Sequence, residues 1–207
     1  MHNKIILIGY SGHSYVCIDN ARLNNYKVIG YCDSKEKIIN PFQIKFLGDE
    51  STIFDEENKF NAFIGIGDNI IREKIFKKIK TNYINLIHPK SIIAVEINIT
   101  LDSNIIINAG AIVNPLTTIE EGVIVNTNAI IEHECYLGSF CHVAPGVVLA
   151  GNVKIGKRSF IGANSVIKQG ITIGNDVTIG AGSVILNDVP NNVTVVGNPG
   201  KIIKITK

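Results

Sequence analysis

The chain has 207 residues, 45% apolar and only 18% charged, with a formal charge of +2. That balance, without a polybasic cluster, leaves no surface of the kind that tracks a nucleic-acid backbone, and no run approaches the ~18 uninterrupted apolar residues of a membrane span. The opening MHNKIILIGYSG is broken by Gly and polar residues too early for a secretory signal, and Cys17, Cys32, Cys135 and Cys141 form no CxxC pair. A soluble, cytoplasmic protein with reduced thiols is expected, and its low aromatic content points to buried Ile and Val in a β-rich fold.

In chain order, KIILIGYSGHSYVCIDNARLNNYKVIGYCD reads as strand, glycine-bearing turn, helix and strand, a βαβ unit. NAFIGIGDN adds a strand, IIREKIFKKIK a helix with apolar residues at helical spacing, and TNYINLIHPKS a last short strand and linker. Residues 1–88 therefore read as a Rossmann-like α/β half domain. The turn G-Y-S-G-H is not G-x-G-x-x-G and a second mononucleotide half is missing, so a mononucleotide or nucleotide sugar fits better than NAD. Gly12 opens the helix where free N–H groups favour a phosphate, and Asp33 ends the second strand where an acid meets a ribose hydroxyl. Taken singly, Gly12 and Gly67 could merely permit turns and Asp33 cap one; together, at three strand ends of a parallel sheet, they read as a site.

From Val95 an aliphatic residue recurs at every sixth position, through Leu101, Ile107 and Val113 to Ile185, sixteen times without a slip. Four places after each comes a small or aliphatic residue, from Ile99, Ile105 and Ala111 to Val189. A period of six is neither helical nor simple strand alternation; it is the hexapeptide signature of a parallel β-helix over residues 89–207. Gly138, Gly156, Gly162 and Asn126, directly after the aliphatic, are expected at corners with unusual backbone angles. The pattern resembles the left-handed hexapeptide-repeat acyltransferases, which implies left-handed winding, three hexads per triangular coil, and here a little over five coils, a prism about 25 Å tall at roughly 4.8 Å per coil. Flat sides invite pairing with further copies, and the resemblance implies a homotrimer.

Two histidines stand in I-E-H-E-C-Y-L-G-S-F-C-H. Residues 18 apart stack, so His133 and His142, nine apart, fall on opposite sides of one prism, and only a seam between neighbouring chains would bring them together. An imidazole is the natural general base near neutral pH, and Glu132 or Glu134 could orient it; the bland alternative is a solvated corner histidine. Zinc is disfavoured, because the repeat has only two histidines while Cys135 and Cys141 fall on the inward series; no metal is expected.

That segment, with G-Y-S-G-H near the start and V-V-G-N-P-G-K near the end, resembles along its whole length the PglD/NeuD-like sugar acetyltransferases, most closely the PglD-type nucleotide-sugar N-acetyltransferases of bacillosamine-type glycan pathways. The resemblance implies an N-terminal domain that holds a UDP-4-amino-4,6-dideoxy sugar and a β-helix that holds acetyl-CoA as co-substrate. It makes His133 the general base, Glu134 the residue that raises its basicity, Asn126 a contact near the reacting amine and His142 an acetyl-CoA contact. Ser11, Gly12 and His13 become the turn around the phosphates, Asp33 and Ser34 the ribose or uracil end, and Gly67 a further backbone contact. Gly151, Ala163 and Ala181 fall where the β-helix meets acetyl-CoA. Alternatives on the same scaffold are O-acetylation of a sialic-acid-type sugar and nucleotide-sugar binding without catalysis.

Overall fold

The computed structural model describes residues 3–54, 60–94 and 100–205. In the first unit, β1 (Lys4–Ile8), β2 (Lys27–Cys32), β3 (Phe46–Gly48), β4 (Asn61–Ile64) and β5 (Asn82–Tyr83) pair in parallel in the order β3-β2-β1-β4-β5. Ile5, Ile6, Leu7 and Ile8 of the central strand are at most 1% exposed, as a strand covered on both faces requires. The order reverses at β1, so the carboxyl ends of β1 and β4 open the crevice where such sheets hold ligands. Helix α1 (Gly12–Leu23) starts where the Ser14 hydroxyl accepts the Ser11 N–H at 2.6 Å. The short α2 (Glu50–Ile53) follows β3, and α3 (Asn69–Lys78) begins at Asp68, whose carboxylate accepts the N–H groups of Ile70 and Ile71 at 3.0 and 2.9 Å.

Helix α3 exists where its apolar spacing predicts it, and Ile75, Phe76 and the closing Ile79 pack into the first unit's core, but its most buried stripe is polar. Asn69, Arg72 and Glu73 form its buried stripe, while Ile70 and Ile71 are 62% and 49% exposed. The reason is its neighbour: Asn69 and Arg72 donate to carbonyls at corners of the second unit, and Glu73 accepts from Arg158 there at 2.8 Å.

From Leu86, inside the segment expected to close the first unit, two-residue strands wind into a left-handed parallel β-helix with three sides. The domain-facing side stacks Ile106, Ile124, His142, Phe160 and Thr178 outward, 18 residues apart. A second, aliphatic side stacks Ile92, Ile112, Ile130, Val148, Val166 and Val184, and a third, polar side carries Thr118, Tyr136, Lys154 and Thr172. Val95 and Ile99, which open the two sequence series, lie outside the described residues. Every wall residue from Ile107 to Ile185 is at most 2% exposed, each contributing about 1.5–3 kcal/mol of apolar burial. Ile87 and Ile93 extend the same core. Ile93 precedes Leu101 by eight residues rather than six, an offset that conceals this first coil from a strict count, so the aliphatic side has six strands. At the far end Val189 leaves the small-residue series and takes a wall position opposite Ile173.

The corners correct one expectation. A left-handed backbone recurs every six residues from Asn104 through Gly110, Leu116 and Gly122 to Gly182, three places after the wall residue and not one. Gly156, directly after Ile155, has a different constraint: a Cβ there would stand 2.4 Å from the Gly174 carbonyl carbon of the next coil, so stacked corners leave no room for a side chain.

The two units are joined by Ile106 and Ile124, which cluster with Ile18 and Ala21 of α1, and by the Asn20 amide, which donates to the Leu86 and Ile107 carbonyls at 3.4 and 3.3 Å. Among the described residues no helix is long and apolar enough to cross a membrane.

Candidate active site

His133 stands on the corner between the aliphatic and polar sides, with its side chain 51% exposed. The corner forces Glu134 into a left-handed backbone (φ 61°), a conformation that costs an L-residue about 1–2 kcal/mol. Its carboxylate Oε2 lies 3.0 Å from His133 Nδ1. A carboxylate accepts, so the pair holds the proton on Nδ1 and the lone pair on Nε2. Glu132, the other candidate partner, instead accepts from Asn114 at 2.9 Å. The ring lies over Gly151, one coil on, where a Cβ would be 2.5 Å from Cε1 and 2.6 Å from Nε2.

His142 lies on the domain-facing side, at the seam between the two units. Its ring meets the edge of Phe160 at a centroid separation of 5.1 Å and faces His13 of α1 at 6.2 Å. Asn126 Oδ1 accepts from Thr127 N–H at 2.8 Å and Asn108 Nδ2 at 3.0 Å, which turns its own Nδ2 toward His142 Nε2 at 3.2 Å. The amide therefore donates to Nε2, and Nδ1 keeps the hydrogen. Burial first, and then the Arg72 charge, push the His142 pKa down to about 3 and that of His13 to about 4, so both rings are neutral at pH 7. His142 Nδ1 and His13 Nε2 are buried without a partner among the described residues. The seam thus offers an unclaimed, uncharged N–H.

Above His142 a groove of 660 Å³ runs between Gly67 and Asn69 on one wall and Phe160 and Thr178 on the other, closed by Arg158 and Asp176. A second cleft of 380 Å³, lined by Gly9, Ser11, Asp33, Ser34 and Ile71, opens at the carboxyl ends of β1 and β2. Gly12 and Ser11 also border an adjoining space of 520 Å³ under Ile38 and Ile39. Asp33 is engaged there: Oδ2 accepts the Tyr10 N–H at 3.1 Å, and Oδ1 takes the Ser34 N–H at 2.8 Å and pairs with Lys37 at 2.9 Å. His13 turns away from this cleft toward His142.

The structure brings together His13, Asn126, His142 and Gly67 at the seam, and Ser11, Asp33 and Ser34 in the cleft. It keeps His133, Glu134 and Gly151 apart from both, on their own corner. Ala163 and Ala181 stack on a different corner, between the domain-facing and aliphatic sides, where Gly182 N–H donates to the Ala163 carbonyl at 2.8 Å. Sequence reading missed Arg72, Asn69 and Phe160; the spacing of Asn69, Arg72 and Glu73 along one helical stripe was the available signal. Among the described residues no group of three His, Cys, Asp or Glu could hold a metal. Burial pushes the thiols of Cys135 and Cys141 up to about 11 and 12.

Residues 4–79 match the family model of the PglD N-terminal domain, and residues 152–187 that of the hexapeptide repeat of succinyl-transferase. Among solved structures, PerB from Caulobacter crescentus, determined with CoA and GDP-perosamine, is 31% identical over 99% of each chain with a TM-score of 0.91. The acetyltransferase domain of PglB from Neisseria gonorrhoeae is 31% identical over 98% of this chain and 100% of its own, with a TM-score of 0.90; its complex with acetyl coenzyme A matches with a TM-score of 0.88 over 97% of this chain. On sequence match, fold and coverage together, the chain belongs to the PglD-type hexapeptide-repeat sugar acetyltransferases.

Proposed function

We propose that the protein is an acetyl-CoA-dependent N-acetyltransferase acting on the 4-amino group of a nucleotide-linked 4-amino-4,6-dideoxy sugar, with the UDP sugar as first choice. It would work in the cytoplasm and supply bacterial surface-glycan synthesis of the bacillosamine type. The observation that carries the reading is the division of reactive groups around one apolar wall: a carboxylate-oriented imidazole on one edge of the aliphatic side, and an unclaimed imidazole N–H beyond the other. The likeness to PerB with GDP-perosamine favours an amine over a hydroxyl acceptor.

The aliphatic side supplies the assembly argument. Ile92 and Val166 are 64% and 40% exposed, and a ladder of six stacked aliphatic residues is a surface that isolated soluble chains rarely leave open. Three copies turning this side toward a common axis cover it. The His133 corner of one chain then meets the Asn126, Ala163 and Ala181 corner of the next, so each site takes its base from one chain and its seam from another. Residues 1–88 hold the nucleotide sugar, with Ser11, Gly12, Asp33 and Ser34 at the nucleotide end and Gly67 toward the sugar. Residues 89–207 hold acetyl-CoA, with Gly151, Ala163 and Ala181 along its path.

In this reading His133 Nε2 takes the proton as the sugar amine attacks the thioester carbon. The C–N bond forms, the C–S bond breaks, and CoA leaves as the thiol after the proton is returned. Glu134 holds the ring in the base-competent tautomer. His142 Nδ1–H donates to the carbonyl oxygen as it becomes an oxyanion, and its neutrality leaves it no proton to lose to the amine. No chain nucleophile takes part, because Cys135 and Cys141 are buried, inward and held as thiols.

The test is complementation, read by thiol release from acetyl-CoA with UDP- and GDP-linked amino sugars. His133→Ala and His142→Ala, each nearly inactive alone, are unfolded together and refolded as mixed trimers. With random mixing about a quarter of the sites receive both intact histidines, so about a quarter of wild-type activity returns. Mixed trimers that form yet stay as inactive as the parents would refute the shared site.

A further inference from the structure

The loop of residues 34–45, which joins β2 to β3, is fastened to a pair of buried rings beneath it. Tyr10 and Tyr31 stack at a centroid separation of 4.2 Å, and both hydroxyls serve the loop: Tyr31 Oη accepts the Lys37 N–H at 2.9 Å, and Tyr10 Oη donates to Asn40 Oδ1 at 2.6 Å. Asn40 in turn donates to the Ile44 carbonyl at 2.9 Å and accepts the Ile44 N–H at 3.0 Å. Lys37 Nζ then reaches back to Asp33 Oδ1 at 2.9 Å, with the two side chains 30% and 16% exposed. A single ion pair at such exposure adds little stability, and the two hydroxyls already hold the loop. The placement of the ammonium asks for another explanation.

The cavities supply it. Lys37 is the one charged residue that borders both the 380 Å³ cleft and the adjoining 520 Å³ space. Among the described residues lining the cleft it is also the one cation, against the carboxylates of Asp33, Asp49 and Glu50. Asp49 is turned to the Ser51 N–H at 2.8 Å and Glu50 to Lys78 at 3.4 Å, so neither reaches for Lys37. The Asp33 carboxylate takes the Tyr10 N–H of the β1–α1 turn on Oδ2 at 3.1 Å and Lys37 on Oδ1, which sets the ammonium beside the turn where α1 opens. An ammonium has three donors, and one bond to Asp33 leaves two. We infer that Lys37 is the diphosphate-binding cation of this cleft: Asp33 aims the ammonium, and its remaining N–H groups go to phosphate oxygens in charge-assisted bonds. A nucleoside without phosphates gains nothing from it, so Lys37 makes the cleft prefer a nucleoside diphosphate over the bare nucleoside.

This inference rests on the nucleotide-sugar reading, and the experiment separates the two. UDP and GDP are titrated into the wild-type protein by calorimetry, and uridine and guanosine by ligand-observed NMR; a chain that binds neither diphosphate defeats the reading before Lys37 is examined. Given binding, Lys37→Met is expected to weaken the diphosphate by about 10- to 100-fold, while the matching nucleoside keeps its affinity within about twofold. KM for the nucleotide sugar should rise by a like factor, with KM for acetyl-CoA unchanged. Lys37→Arg, which keeps the charge and the donors, is expected to stay within about fivefold of wild type. Lys35→Met removes the same charge from the same loop, but Lys35 does not border the cleft, and it should change diphosphate affinity by less than about twofold. A Lys37→Met protein whose preference for diphosphate over nucleoside equals that of wild type overturns the inference. An equal loss in Lys35→Met also overturns it, by reducing the effect to the general charge of the loop, and so does an equal loss of the nucleoside, by making Lys37 a loop anchor only.

Discussion

Gly151→Ala tests whether the seat of the His133 ring matters. In the native arrangement the added methyl would stand 2.5 Å from Cε1 and 2.6 Å from Nε2. Ordinary carbon contacts begin at about 3.5 Å, so the ring must move by about 1 Å. It can do so cheaply, because the imidazole is 51% exposed and Gly151 is not among the glycines with a left-handed backbone. Gly151 itself is buried, but the methyl meets the end of an exposed side chain and not backbone, so stability should fall by no more than about 1 kcal/mol. A base displaced by 1 Å typically costs about 100-fold in rate, and the displacement also strains the 3.0 Å bond to Glu134.

The assay is kcat from thiol release, run beside a urea titration of the same preparation. Gln169→Ala, one coil further along the same corner, is the control and should keep both activity and stability. The expected result is a kcat lowered about 100-fold at a stability within about 1 kcal/mol of wild type. A Gly151→Ala enzyme with kcat within threefold of wild type would show that the observed seat of His133 is not the reactive one.

Two further predictions concern titration and thiols. His13 and His142, with pKa values of about 4 and 3 against an ordinary 6.5, make the unfolded chain the better proton binder below pH 6.5. Their stabilisation is complete above that value and drains as pH falls toward 4, by roughly 2 kcal/mol per imidazole at pH 5. Urea titrations should give a flatter decline between pH 6.5 and 4.5 for His13→Gln/His142→Gln than for wild type; equal slopes would contradict the buried, neutral assignment. Below that range Glu73 takes over, because bonds from Lys157, Lys77 and Arg158 outweigh its burial and bring its carboxyl down to about 2. The cysteines should resist iodoacetamide in the folded enzyme at pH 7.5, and Cys141→Ala should keep kcat within about threefold, since a buried thiol is not the nucleophile; labelling that tracks loss of activity would bring an acyl-enzyme back.

The β-helix was legible in the sequence because its constraint is strictly local. Every sixth residue must fill the same interior, so Leu101 to Ile185 announce themselves without any long-range information. What failed was also local in origin. The left-handed corner falls at the third place after the wall residue, where ten of the fourteen residues from Asn104 to Gly182 are Gly, Asn or Asp; that signal was present, but the Gly and Asn one place after the wall residue overshadowed it, and Gly156 and Gly162 mark close stacking instead. Helix α3 was legible as a helix, with Ile75 and Phe76 in the core, but its polar stripe was not, since hydrophobic spacing presumes an apolar partner and Asn69 and Arg72 meet main-chain carbonyls. His133 and Glu134 could be singled out from E-H-E, whereas the His142 tautomer depends on Asn108 and Asn126 arriving from other coils.

The same period decides which residues can assist one another. Residues nine apart are carried to opposite sides, so one prism cannot unite His133 with His142 however its side chains turn. Residues 18 apart are stacked, so each histidine takes its support from the coil beyond: Gly151 beneath His133, and Phe160 against His142. A rigid repeat therefore places single groups accurately and leaves the reaction centre unfinished. In the proposed trimer, completion comes from outside the repeat, from the turn at Gly67 on one flank and from an aliphatic side paired with its own copy on the other. Under that proposal assembly and catalysis depend on the same surface, and a charged substitution at Val166 should abolish turnover and yield monomers by sedimentation while each prism stays folded; a monomeric variant with wild-type turnover would refute the shared site.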